Sequence, residues 1–143
     1  MEFNQNKQDS HIGNNINQKV NPSEIATNFV NFYYSSLDIN INNLIDANGK
    51  FIYKNNSEYC IQGLVFKGPN DIFNKIRELN QRGCIHNINS IDVVTSGSRR
   101  LNIVVTGKIQ LDGFLYTFTE YFHLASGKDN GEWWIQSDIL RTL

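Results

Sequence analysis

Cysteine, proline and methionine are scarce in these 143 residues, at two, two and one. Cys60 and Cys84 do not form a C-x-x-C pair, so neither a zinc-ribbon nor a dithiol redox signature is present. Both thiols are expected to be reduced. No apolar run reaches the length of a membrane span, and the first twenty residues lack the apolar segment of a secretory signal. The chain is therefore expected in the cytosol or nucleus. Basic excess is also missing: 13 Lys and Arg stand against 14 Asp and Glu, for a net charge of −1. That is not the electrostatic footprint of a nucleic-acid binder. No glycine-rich phosphate loop occurs, and His11, His86 and His123 are far apart in sequence. The pattern names no metal-ligand cluster and no cofactor.

What is present fits one domain with a real core, since 40% of residues are hydrophobic and 12% aromatic. Residues 1–20 are polar and are expected to be a disordered tail, with the folded domain spanning 21–143. Order begins at Asn21-Pro22-Ser23-Glu24, which combines an N-cap, a proline at the first helical position and a capping-box glutamate. Ile25, Ala26, Phe29, Val30, Phe32, Tyr33 and Leu37 then recur at spacings of three and four, one wide helical stripe. Asn31 and Tyr34 fall nearer the wet side. Asp38 is read as the cap of a second, short helix through Ile41, Leu44 and Ile45. Phe51–Tyr53 and Tyr59–Phe66 read as a hairpin around a turn at Lys54–Ser57. Gly68-Pro69 opens a third helix with Ile72, Phe73, Ile76 and Leu79 on one face, and Gly83 ends it.

From Cys84 onward the period changes to two. A strand is expected over Ile85–Val94, followed by a turn at Ser96–Ser98. Leu101, Ile103, Val105, Ile109 and Leu111 alternate with polar residues up to Asp112-Gly113, a two-residue hairpin signal. The return strand places Tyr116, Phe118, Phe122 and Leu124 on one face. A flexible loop at Ser126–Gly131 leads to a last strand over Glu132–Arg141. Helices first and long antiparallel strands last indicate an α+β fold, a curved sheet wrapped around the first helix into a cone.

Helices can cover only one face of that sheet. On the other face, Val104, Tyr121 and Ile139 break an otherwise polar pattern on three consecutive strands. A contiguous apolar patch there reads as a protein interface. Scattered surface hydrophobes are the plainer alternative. Thr106 and His123 complete the candidate surface. A cone interior is also a place for enzyme chemistry. Asp138, Glu120, His123 and His86 are the candidate acids and bases, with Tyr33 as a possible donor. No His–Asp pair or paired carboxylate has a persuasive spacing, and Cys60 and Cys84 have no base near them in sequence.

The segments FVNFYYSSLD, FKGPNDIFNKIREL, VVTGKIQLDG and WWIQSDILR, taken in order, resemble the nuclear transport factor 2 family from Asn21 to the C-terminus. The first and last are most similar to the branch of NTF2-related mRNA-export cofactors. Carriers of Ran-GDP are similar too, but usually have Asn where this chain has Ser137. The resemblance implies a cone that dimerises through its open face, with Val104, Tyr121 and Ile139 at the dimer surface. It implies that Arg141 faces an acidic residue of a larger export receptor, whose similar domain would be the partner. A second copy of the chain is the other possible partner. It further implies contact with phenylalanine-glycine repeats of nucleoporins, and a location in nucleus, cytoplasm and nuclear pore, with no catalytic activity. In the carriers the resemblance places acidic residues around a hydrophobic cavity. The matching loops here are read as 53–56 and 95–100, where Lys54, Arg99 and Arg100 put positive charge. On that reading the export adaptor stands ahead of the Ran-GDP carrier.

Overall fold

The computed structural model describes residues 21–127 and 132–143. The expected tail and most of the loop expected at 126–131 lie outside the described residues. Helix α1 spans Pro22–Ile39, and the Asn21 side chain accepts from the amides of Ser23 and Glu24 as its cap. A 3₁₀ turn at Ile41–Leu44 follows, capped by Asn40. Strands β1 (Tyr53–Ile61) and β2 (Leu64–Lys67) lead into α2 (Gly68–Gln81). Then come β3 (Ile85–Thr95), β4 (Arg100–Leu111), β5 (Phe114–Ser126) and β6 (Trp133–Thr142). All six strands join one sheet in the order β2-β1-β6-β5-β4-β3.

Four pairings are antiparallel, but β1 runs parallel to β6, so the sheet is mixed rather than wholly antiparallel. The expected hairpin is displaced for the same reason. Lys54–Ser57 lies inside β1, where the register with β6 shifts between Tyr53 and Glu58. Ser57 is drawn in, donating to the Ile135 carbonyl at 2.6 Å and accepting from the Lys54 amide at 2.7 Å. The turn falls instead at Gln62-Gly63, both at positive φ, 50° and 86°. The other hairpin is where the sequence places it, with Asp112 at φ 53° and Gly113 at 83°.

The core forms between α1 and the inner sheet face. Phe29 and Tyr33 meet the Phe122 ring edge-on at 4.9 and 5.0 Å. Leu101, Ile103, Val105 and Ile109 are buried from β4, and Phe118, Phe122 and Leu124 from β5. Ile72, Ile76 and Leu79 bury one face of α2, while Phe73 is half-buried. Two expectations for α1 fail. Tyr34 is not on the wet side but 4% exposed, because its hydroxyl has a partner in the interior. Asp38 does not cap the next turn. It sits inside α1 and accepts from the His86 backbone amide at 2.9 Å, tying the end of the helix to the start of β3.

Gly107 lies where β3 shifts register, between Ile88 and Ser90. A Cβ at this position would stand 2.3 Å from the Asn87 carbonyl oxygen and 3.0 Å from the Phe118 ring. The backbone oxygen cannot swing aside as a side chain would. Gly107→Ala is therefore expected to cost about 1–3 kcal/mol, the range for forced overpacking, measured as a lower urea midpoint. An unchanged midpoint would show that the bulge relaxes freely.

Candidate functional site

Three strands bring the expected interface residues into one line. Val104 pairs with Tyr121, and Tyr121 pairs with Ile139. The row continues beyond them: Ile139 pairs with Cys60, Cys60 with Val65, and Val104 with Asp92 on the other side. Residues directly opposite in a sheet share a face, so five non-charged side chains form a strip across β4, β5, β6, β1 and β2. Val104, Ile139 and Val65 are 37%, 48% and 53% exposed. Cys60 and Val65 could not be assigned to this strip without knowing that β1 lies beside β6.

Polar neighbours flank the strip. Tyr121 Oη donates to Asn102 Oδ1 at 2.6 Å, which lays its ring along the face. His123 contacts the same oxygen through Nδ1 at 2.8 Å, so Nδ1 carries the proton. Its Nε2 then accepts from Arg100 at 3.4 Å. Partial burial, with Arg100 beside it, holds the His123 pKa below its ordinary value. Thr106 is hydrogen-bonded to Ser90. Arg141 is exposed beside Thr119, with no ion pair among the described residues.

The interior candidates meet on the opposite face. Asp138 and Glu120 are each 1% exposed. Asp138 Oδ2 accepts from Tyr53 at 2.6 Å and from Tyr33 at 3.3 Å, and the two tyrosine hydroxyls lie 2.6 Å apart. Glu120 Oε1 accepts from Tyr34 at 2.8 Å. Glu120 Oε2 and Asp138 Oδ1 take no bond from any hydroxyl or amide. Two carboxyl groups buried near each other do not both ionise, so the pair retains a proton. Burial first, then the charge of Asp138, push the Glu120 pKa far up, so Glu120 holds that proton. Burial raises Asp138 as well, while the bonds from Tyr53 and Tyr33 oppose the rise. No carboxylate pair is persuasive from spacing alone, yet the fold makes one: a bulge between His123 and Leu124 resets the parity of β6, so that Ile135 and Asp138 both point inward.

A second pair also escaped the sequence. His86 Nδ1 lies 2.8 Å from Asp38 Oδ1, 48 residues away. Cys84 Sγ stands 3.6 and 3.7 Å from the two ring nitrogens. Burial and the Asp38 charge push the Cys84 thiol up to about 12, so it is no nucleophile. Cys60 and Cys84 are both free.

An apolar cavity of about 270 Å³ opens between α2, the β1–β2 hairpin and the ends of β4, β5 and β6. Ile61, Leu64, Phe66, Leu79, Leu111 and Leu140 contribute its apolar walls. Lys54, Arg99 and Arg100 are not among its lining residues. Lys54 instead sits 3.9 Å over the Trp134 ring. The charge argument drawn from those loops therefore does not apply to this cavity. Its nearby charges are paired, Arg82 with Asp112 at 2.9 Å and Lys75 with Glu78 at 2.8 Å.

The sequence profile of the Nuclear transport factor 2 (NTF2) domain matches residues 25–142. The chain belongs to the NTF2 family. Nuclear transport factor 2 of Candida albicans is 28% identical over 125 residues, covering 85% of this chain and 95% of that protein. Nuclear transport factor 2B of Arabidopsis thaliana is 28% identical, covering 86% and 95%. The solved structure of nuclear transport factor 2 from Cryptosporidium parvum superposes with a TM-score of 0.75 at 26% identity, covering 89% of this chain and 98% of that one. The NTF2 fold expected from the sequence is thus confirmed. The relatives carry the name of the transport factor itself, and none of these three is named as an export cofactor.

The buried carboxyl pair sets a pH dependence. Glu120 has a folded pKa above its unfolded one. Its contribution is full below the unfolded carboxyl range and is lost as pH rises through the folded value. Glu120→Gln replaces the titrating carboxyl group with a neutral amide of the same shape. Wild type is expected to lose stability relative to this variant as pH rises from 5 to 8, by at most about 1.4 kcal/mol per pH unit, the slope for one proton. Thermal melts across that range test this; parallel curves for the two proteins would contradict it.

Proposed function

We propose that this chain is a non-enzymatic nuclear transport factor that works as a face-to-face dimer. The in-register strip Val104–Tyr121–Ile139 carries the reading. An apolar strip on an open sheet is stabilised by removal from water, and a second sheet of the same shape removes it. Relatives named nuclear transport factor 2 favour a second copy of the chain as the partner, and Ran-GDP as the cargo, over an mRNA-export receptor. The apolar cavity supports that order, since it offers a socket for a partner's side chain and the cations lining it, Lys75 and Arg82, are paired. Arg141 supports the export adaptor as the second reading, as an exposed guanidinium suited to a carboxylate across the interface. Phenylalanine-glycine repeats remain the expected contact at the pore in both readings. The enzyme reading lacks access: Asp138 and Glu120 are sealed under α1, where no substrate reaches them.

Ile139→Glu would place an unpaired carboxylate in the dimer core, a cost of several kcal/mol. Light scattering is expected to give a dimer for wild type and a monomer for the variant. A variant that remains dimeric would remove the proposed face.

Cargo is tested separately. Wild type is expected to bind Ran-GDP in calorimetry and to ignore Ran-GTP. Leu64→Glu, at an exposed position on the cavity wall, is expected to weaken binding at least about tenfold. Absence of Ran-GDP binding, with capture of an export receptor's similar domain instead, would favour the second reading.

A further inference from the structure

We propose that the outer side of α2 binds a short extended peptide carrying an acidic residue close to an apolar one. The site is a groove of about 460 Å³ between α2 and the segment that leads from Ile45 to Phe51. It shares no lining residue with the apolar cavity or with the outer strip, so this inference is independent of the transport reading.

The groove has an apolar floor. Ile72, Ile76 and Leu79 bury one stripe of α2 in the domain. Phe73 lies beside that stripe and meets Phe51 edge-on at 5.3 Å. Ile45 and Pro69 extend the floor at its two ends. Phe51 and Phe73 are only half-buried, so the floor stays in contact with water.

The rim is polar and carries one sign of charge. Asn70, Asn74 and Arg77 are exposed at spacings of four and three, which sets them in one row along the groove. Among the described residues, Arg77 is the only charged one lining the groove, and it has no ion pair. Its guanidinium carbon lies 4.9 Å from the centre of the Phe73 ring. Stacking there holds the guanidinium over the floor and leaves its N–H edge free for a carboxylate. Asp46, beside Ile45, accepts from the amides of Asn48 and Lys50 at 2.8 and 2.9 Å, so its charge is taken up in its own turn.

The row also has the pitch of an extended chain. Asn70 and Asn74 are one turn apart, about 6 Å along the helix axis. Alternate residues of an extended peptide recur every ~6.6 Å. Each side-chain amide can therefore donate to and accept from one peptide unit, at successive repeats. Neither asparagine side chain has a partner among the described residues. An apolar side chain between the two repeats rests on Phe73, and a carboxylate one or two residues away reaches Arg77. A small free carboxylate would use Arg77 but neither asparagine, so the peptide fits the whole row.

The test is selection of a random-peptide display library on the full chain, followed by amide-shift mapping with an enriched synthetic peptide. Enriched sequences are expected to place Asp or Glu one or two residues from an apolar side chain. Shifts are expected at Phe51 and from Asn70 to Arg77. Arg77→Glu, at an exposed position, should weaken binding of that peptide at least about tenfold. Changing the peptide's acid to lysine should restore binding to the variant but not to wild type, a reversal that a merely structural arginine would not give. No enrichment, enrichment without an acidic preference, shifts confined to the cavity or the strip, or unchanged affinity in Arg77→Glu would each overturn the site.

Discussion

Burial of α1 against the inner face of the sheet is the interaction on which the rest of the structure depends. The aromatic side chains Phe29, Tyr33 and Tyr34 need a concave surface of similar width, and the long strand β5 supplies Phe118 and Phe122 to it. Once the helix occupies that face, the sheet has no second layer of its own. Everything distinctive about the outer face follows from this one-sided cover. Residues of one parity are sealed, and those of the other parity meet water or another subunit.

The same burial explains the polar interior. Tyr33 and Tyr34 bring hydroxyl groups into the core, and each needs a partner there. Asp138 and Glu120 provide acceptors, and burial near Asp138 keeps Glu120 protonated, so the two do not repel as two charges. Such a network raises a difficulty for catalysis as well as a temptation to infer it. Carboxyls with raised pKa values often mark active sites. These two lack the access that chemistry requires, and their geometry is accounted for by the tyrosines they hold.

Local pattern was enough for much of this. The cap at Asn21, the stripe of α1, the alternation of β4 and β5 and the turn at Asp112-Gly113 are short-range features, and each is legible within a dozen residues. The three outward residues Val104, Tyr121 and Ile139 were legible because two antiparallel pairings preserve parity. What depended on distant partners was not. The parallel pairing of β1 with β6 displaced a hairpin and hid Cys60 and Val65. A bulge near Gln136 changed the parity of β6. Asp38 looked like a cap because its true partner, His86, lies 48 residues on. Tyr34 looked wet because a helical wheel does not record a buried glutamate waiting for its hydroxyl.

The central claim is that the outer strip is covered by a second subunit. Hydroxyl-radical footprinting of the purified chain over a range of concentrations measures this directly. Labelling of Tyr121 and Ile139 is predicted to fall as concentration rises, while Tyr116, at the cavity end of β5, stays constant. Equal labelling of Tyr121 and Ile139 at every concentration would mean that the strip remains in water, and would contradict the account.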